Sequence, residues 1–211
     1  NVALASFPRS GNTWLRLLVE EATSIKGGSV YGESDLVELR PAKGIVVKTH
    51  EFGWEKPQYS SAIHLIREPL AAIESWFYFR RDLEGTREVW DSFIISAAQR
   101  WNDHTLYWLS APCDKLFLKY EELHAAPTLE LVRVARWLGY ELNEEQAGVC
   151  VEKNKITELR KRYAPHSKFF RRGEIMPSPD SFTAKQRSEV LEIVKPGLEK
   201  AGYTEDLSFV H

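Results

Sequence analysis

Lys48 and His50 stand two residues apart at the end of an apolar run, "GIVVKTH". Side chains alternate in extended backbone, so Lys48 and His50 share one side and Thr49 points to the other. An imidazole that titrates near neutrality, beside a fixed cation, suits proton abstraction where negative charge develops. A lone histidine is more often structural, but the lysine and the position at a strand's carboxyl end favour a catalytic role. The second chemical stretch is "FPRSGNTW". A helix that begins near Asn12 offers unpaired N–H groups and the positive end of its dipole, and Gly11 lets the backbone curl around an anion. Ser10, Asn12 and Thr13 add polar side chains, and Arg9 adds charge. The nucleotide-triphosphate loop would read GxxxxGK[ST]. Here the leading Gly is missing and Asn12 occupies the place of the Lys, so an anion loop of related architecture is expected, for a ligand that needs no metal. An ordinary capped strand–turn–helix is the plain alternative.

Two further stretches supply cations. "REPLAAIES" puts Arg67 at a strand end and Ser75 just over two helical turns later, both within reach of one phosphate, unless Arg67 instead pairs with Glu68 or Glu74. "FFRRG" contributes Arg171, Arg172 and Gly173, a basic pair with aromatics and a flexible hinge that could close on a phosphate or simply be a solvated face.

These residues need elements to hold them. "VALASF", "GIVVKTH", "SAIHLIRE" and "DKLFLKYEEL" read as buried strands. "NTWLRLLVEEATS" reads as a helix with Leu15, Leu18 and Val19 on one face. "PLAAIESWFYFRR" starts on Pro69, which is welcome only in a first turn. In "EVWDSFIISAAQRWNDHTLYWLS" the residues Trp90, Phe93, Ile94, Ala97, Trp101 and Trp108 share a face. Helices are also expected at "PTLELVRVARWLGY", "NEEQAGVCVEKN" and "TAKQRSEVLEIVKPGLEKAG", the last kinked at Pro196. "SIKGGSVYGESDLVELRPAKG" reads as a long polar excursion over the surface. Strands alternating with helices imply an α/β fold: a central parallel sheet of four to five strands with helices on both faces. Ligands then gather at the carboxyl ends of the strands, beside Arg9, Lys48, Arg67 and Tyr120.

Composition narrows the class. The 211 residues, 43% hydrophobic and 27% charged, suit one globular domain spanning residues 1–211. A net charge of −2 gives no global pull toward nucleic acid or a membrane, so neither is expected as a partner. Cys113 and Cys150 alone cannot build a disulfide framework or a four-ligand metal site. No apolar run reaches the roughly 18 residues of a membrane span, and no signal peptide is visible. The chain lacks an initiator Met, so an excised catalytic domain is expected.

In order along the chain, "FPRSGNTW", "VVKTH", "LIREPLAAIES", "KYEEL" and "FFRRG…SFT" resemble the motifs of sulfotransferases that use 3′-phosphoadenosine-5′-phosphosulfate. The wording "ALASFPRSGNTWLR", "VVKTHE" and "CVEKNK" is most similar to WSC-domain-containing carbohydrate sulfotransferases. The resemblance implies a P-loop-like three-layer fold. It also implies a donor loop made by Arg9 (where the family usually has Lys), Ser10, Gly11, Asn12, Thr13 and Trp14, with Trp14 near the adenine. Arg67 and Ser75 would hold the 3′-phosphate, Tyr120 would lie near the adenosine, and Arg171, Arg172 and Gly173 would close over the phosphate. His50 matches the catalytic base and Lys48 its cationic neighbour. The family's Gly-Asp-Trp element is replaced by "EIMPSPDSFT", and its adenine-edge Thr-Ser-Phe has no counterpart near "NKITEL".

The expected reaction is sulfuryl transfer to a hydroxyl of a small molecule or glycan, a sugar being favoured through the resemblance. Lys48 and Arg9 would do the work of a metal. A small-molecule or nucleotide kinase, and a non-catalytic nucleotide-binding module, remain alternatives. The expected location is the Golgi lumen for a domain cut from a membrane anchor, and the cytoplasm otherwise. Tyr31, Trp54, Tyr59 and Trp76 are the aromatics that could line an acceptor pocket or equally serve the core.

Overall fold

The computed structural model describes residues 1–30, 46–52, 59–164, 170, 173, 175–178 and 180–203. The first apolar run forms β1 (Val2–Ser6), and the polar turn after it opens α1 (Asn12–Thr23). β3 (Val46–Thr49) and β4 (Ser61–Ile66) lie on either side of β1, and β5 (Asp114–Lys119) lies beyond β4. A fifth strand, β2 (Gly28–Ser29), completes a parallel sheet of order β2-β3-β1-β4-β5.

β2 corrects the reading of residues 24–44 as a surface excursion throughout. "GGS" carries no strand signal, yet Gly28 and Ser29 pair with Val47 and Lys48. The glycines serve the neighbouring Arg16. A Cβ at Gly27 would lie 2.7 Å from the Arg16 Cγ, and the buried Arg16 donates from Nη1 to the Gly28 carbonyl at 3.5 Å. Tyr31 and the remainder of that excursion, and Trp54, lie outside the described residues.

Alternation along the strands builds the layers. Leu4, Ile63, Leu65 and Leu118 face one way, onto Leu15 and Leu18 of α1, Leu131 and Val134 of α5 (Pro127–Trp137), and Ala147 and Val151 of α6 (Glu144–Lys153). Ala3, Ala5, Ala62 and Ile66 face the other way. They meet α3 (Trp90–Ser110), α2 (Pro69–Leu83) and α8 (Ala184–Lys200) through Trp108, Leu70, Ile94, Trp101 and Val194. The architecture is therefore the three-layer α/β fold expected from the sequence.

Capping sets the helix starts. Pro69 stands at the first position of α2, whose N-cap Glu68 accepts from the Leu70 and Ala71 N–H groups. Asn143 with Gln146, and Thr183 with Gln186, form capping boxes on α6 and α8. Two boundaries differ from expectation. The fourth apolar run leaves the sheet at Lys119, and Tyr120 already begins α4 (Tyr120–Ala125). "ITELRKR", for which the sequence predicts no element, forms α7 (Ile156–Arg162) over the buried Leu159. No helix among the described residues is long and apolar enough to cross a membrane.

Candidate active site

The turn after β1 has the geometry of an anion cradle. Gly11 is the N-cap of α1 at φ 91, with no side-chain cap and no acidic residue in the first turn, so the helix's leading N–H groups face outward unneutralised. Ser10 is fully buried, and its Oγ has no hydrogen-bond partner among the described residues. An orphaned buried hydroxyl beside uncapped N–H groups fits an anionic guest. Gly11 could not be another residue: a Cβ there would lie 2.5 Å from the Tyr120 Cδ2. Asn12 turns inward, its Nδ2 donating to the Leu4 carbonyl at 2.9 Å and to the Ser6 Oγ at 3.0 Å. Its side chain thus braces the loop against β1, and only its backbone is directed along the helix start. Thr13 lies in the first turn, half-buried. Trp14 donates from Nε1 to the Asn154 carbonyl at 3.1 Å and meets the Tyr120 ring edge-on at 6.2 Å.

Arg9 holds a left-handed backbone, φ 65, that a non-glycine residue adopts at a cost of about 1–3 kcal/mol. Arg67 secures it by donating from Nη1 to the Arg9 carbonyl at 2.8 Å. The Arg9 side chain crosses to α2, where Nε donates to the Ser75 Oγ at 3.3 Å and the guanidinium lies 5.0 Å over the Phe79 ring. The Arg67 guanidinium lies 4.5 Å over the ring of Tyr120. Arg9, Arg67, Ser75, Tyr120 and Gly11 therefore converge on one spot above β1 and β4. Of the neighbouring carboxylates, Glu68 caps α2, while Glu74 accepts from the Ser178 N–H at 3.2 Å and from the Ser181 hydroxyl. Arg171 and Arg172 lie outside the described residues. On either side of them, Phe170 packs with Leu17 and Leu159, and Gly173 lies against Ile156.

Beyond β3, His50 is held from two directions. Its Nδ1 lies 2.7 Å from the Ser6 carbonyl, an acceptor only, so Nδ1 carries the proton and Nε2 the lone pair. From α3, Arg100 donates to the His50 carbonyl at 3.3 Å, and the Trp108 indole donates to the Glu51 carbonyl at 3.1 Å. Burial, then the Lys48 cation with Arg100 and Arg9, lowers His50 to about 3 despite the Ser6 contact. The ring is therefore neutral and able to accept a proton. Lys48 is itself buried, at 5% exposure, on the strand residue paired with Leu4. Behind this edge, His64 and His104 lie 5.8 Å apart, centroid to centroid, with all four ring nitrogens buried and without hydrogen-bond partners among the described residues. Burial keeps both uncharged.

Residues 44–202 match the model of the sulfotransferase domain family, three quarters of the chain. The chain belongs to the sulfotransferase domain family. A WSCD family member of Drosophila melanogaster is 30% identical over 89% of this chain and 62% of its own length, and one of Aedes aegypti is 31% identical over 89% and 64%. The chain thus spans a little over three fifths of these relatives. A cytosolic sulfotransferase of Arabidopsis thaliana is 24% identical over 96% of the chain. The fold is shared with a mouse sulfotransferase complexed with PAP (TM-score 0.75, 20% identity, 94% of this chain and 83% of the other). It is shared also with a retinol dehydratase in a complex with retinol and PAP (TM-score 0.72, 19% identity, 94% and 81%).

Several residues of this sulfotransferase domain's site carry no sequence signal. Ser6, Arg100 and Trp101 act through backbone contacts, and the Trp101 indole donates to the Arg67 carbonyl at 3.0 Å. Of the candidate acceptor aromatics, Tyr59 packs with the Trp108 cluster and Trp76 packs edge-on against Phe7 and Phe93. Phe52, 40% exposed, stands instead at the rim beyond His50, edge-on to Tyr107 and His104. Among the described residues no cluster of three or more His, Cys, Asp or Glu could hold a metal ion.

Proposed function

We propose that this domain transfers a sulfuryl group from 3′-phosphoadenosine-5′-phosphosulfate to an acceptor hydroxyl, that of a carbohydrate. The observation that carries the reading is the neutral His50, with its basic Nε2 set by Ser6, beside Lys48 and Arg9 and at the strand edge that also holds the anion cradle. The donor supplies an activated sulfuryl group on a phosphate leaving group. Arg67 and Ser75 would hold its 3′-phosphate, and the α1 N–H groups with Ser10 and Thr13 its 5′-phosphate. Trp14 and Tyr120 offer aromatic surface to the adenosine. Nε2 of His50 takes the hydroxyl proton as the acceptor oxygen attacks. Lys48 and Arg9 then face the charge that builds on the sulfonate and on the departing phosphate oxygen, and they are already in place before reaction. Burial is the chief cause of the low His50 value, and Lys48 and Arg9 add to it. Binding of a polyanion beside them offsets their repulsion of a proton, so the base strengthens when the donor is bound.

Support for the acceptor class is the motif wording shared with WSC-domain-containing carbohydrate sulfotransferases, together with the exposed Phe52 face, against which a sugar ring could stack. The inward-turned Asn12 separates this reading from a kinase, whose loop would present a lysine at that place. The test is direct. Thermal stabilisation by 3′,5′-ADP with chelator present, followed by label transfer from sulfate-labelled donor to a panel of sugars and phenols, supports the reading when a sugar is labelled. Stabilisation by ATP only in the presence of Mg²⁺ would indicate a kinase, and binding without transfer to any acceptor a non-catalytic module.

A further inference from the structure

We infer that Glu121, steadied by Tyr203, is a positioning residue for the 3′-phosphate grip; the inference rests on the donor reading above. Arg67 and Ser75 can share a phosphate only if the end of β4 and the start of α2 are fixed relative to each other, and the hinge between them is Glu68. Three groups of hydrogen bonds hold that hinge. Trp101 holds the Arg67 carbonyl. The Glu68 carboxylate is spent on the α2 N–H groups, at 2.9 Å to Leu70 and 2.6 Å to Ala71. The third is the Glu68 N–H itself, which donates to the Glu121 Oε1 at 2.7 Å.

Glu121 is 3% exposed and comes from α4, 53 residues away along the chain. Its second oxygen accepts from the Tyr203 hydroxyl at 3.0 Å. Tyr203 follows α8 and is placed by Lys119, whose ammonium donates to the Gly202 carbonyl at 2.8 Å and lies 4.5 Å over the Tyr203 ring. Burial raises the pKa of Tyr203 well above the ordinary phenol value, so its hydroxyl stays a donor. The segment after the last helix thus reaches under the strand edge and sets the angle of one carboxylate. That carboxylate sets one peptide, and the peptide carries Arg67 on one side and the helix of Ser75 on the other. Glu121 and Tyr203 reach the grip through the Glu68 peptide.

The discriminating measurement is the affinity for 3′,5′-ADP relative to 5′-AMP, which lacks only the 3′-phosphate, by titration calorimetry on the full chain. Tyr203→Phe deletes one hydroxyl and keeps the ring. It is expected to weaken 3′,5′-ADP about tenfold, the scale of one hydrogen bond to a charged group. Affinity for 5′-AMP should move less than about threefold, because Asn12 still braces the 5′-phosphate loop. Glu121→Gln retains an acceptor for the Glu68 N–H and can donate from its amide to the tyrosine oxygen, so it should stay within about threefold of the parent. Glu121→Ala should lose the preference for the 3′-phosphate. A merely structural role would lower the melting temperature and weaken both nucleotides together, or neither. Folded Tyr203→Phe with an unchanged ratio overturns the inference, whether or not Glu121→Ala folds. A parent chain with no preference for 3′,5′-ADP over 5′-AMP overturns the donor reading and this inference with it.

Discussion

The Nδ1 of His50 lies 2.7 Å from the carbonyl oxygen of Ser6, and that one contact decides which nitrogen of the ring can act. A carbonyl only accepts, so the proton stays on Nδ1. Ser6 is tied in turn to the anion loop, because its Oγ receives the amide of Asn12. His50 and the loop are thereby referenced to the same strand residue.

His50→Ala should leave the affinity for 3′,5′-ADP near the parental value and lower kcat by about two to four powers of ten, the usual worth of a placed base. The measurement is kcat per folded enzyme at saturating donor and acceptor. A folded variant within about threefold of the parent would remove His50 from the mechanism.

Gly11→Ala should damage donor binding more than its size suggests. The residue sits at φ 91, and its new methyl would meet the Tyr120 ring that lies under Arg67. A loss of at least about 1 kcal/mol of stability is expected from the backbone alone. A raised donor KM should accompany it. Unchanged urea unfolding and donor KM would show that the close approach to Tyr120 is wrong.

Asn12→Ala should act as a structural lesion. It strips the Leu4 carbonyl and the Ser6 Oγ of a buried donor, a loss of about 1–3 kcal/mol. Because Ser6 also holds His50, kcat should fall with stability. An Asn12→Ala variant as stable as the parent, but unable to bind 3′,5′-ADP, would instead place the amide on the donor.

Stability should fall as pH drops below about 6.5, the ordinary histidine value. His50 and His104 are lowered to about 3 and His64 lies well below its usual range, so between those values the unfolded chain binds more protons than the folded one. Each such group contributes stability that is present above 6.5 and lost on acidification. Two carboxyls oppose the trend: burial raises Glu121 and takes Glu68 to about 7, which favours the folded state as those groups protonate. The three histidines outnumber them, and the net slope stays positive. Melting temperatures from pH 8 to 4.5 check the sign, and His64→Leu should flatten the slope. A parent whose melting temperature rises on acidification would contradict the buried, uncharged histidines.

Sequence made the strand ends legible because each follows a run of apolar, often β-branched residues that can only be buried. That pattern by itself puts Arg9, Lys48 and Arg67 at one edge of the sheet. Gly28–Ser29 is hidden because glycine and serine have no strand preference; the pair joins Val47 and Lys48 just after Gly27 passes close over Arg16. "KYEEL" suits a strand end or a helix start, and helix α4 starts on Tyr120. Ser6, Arg100 and Glu121 were invisible for a different reason. Each works through a backbone group far away in sequence, and a hydrogen bond from residue 121 to residue 68 leaves no local pattern. Asn12 shows the converse: a residue type chosen for an anion site turned its side chain to the strand behind it.

The placing of β1 in the middle of the sheet has a consequence for biosynthesis. Its neighbours begin at residues 46 and 61, so the strand that leads into the anion loop leaves the ribosome with neither partner made. Parallel pairing across such separations is slow to form, and an exposed apolar strand in waiting is open to wrong partners. Slowing synthesis between residues 23 and 61 should therefore reduce the soluble yield more than the same delay placed after residue 119, where β1 already has both neighbours.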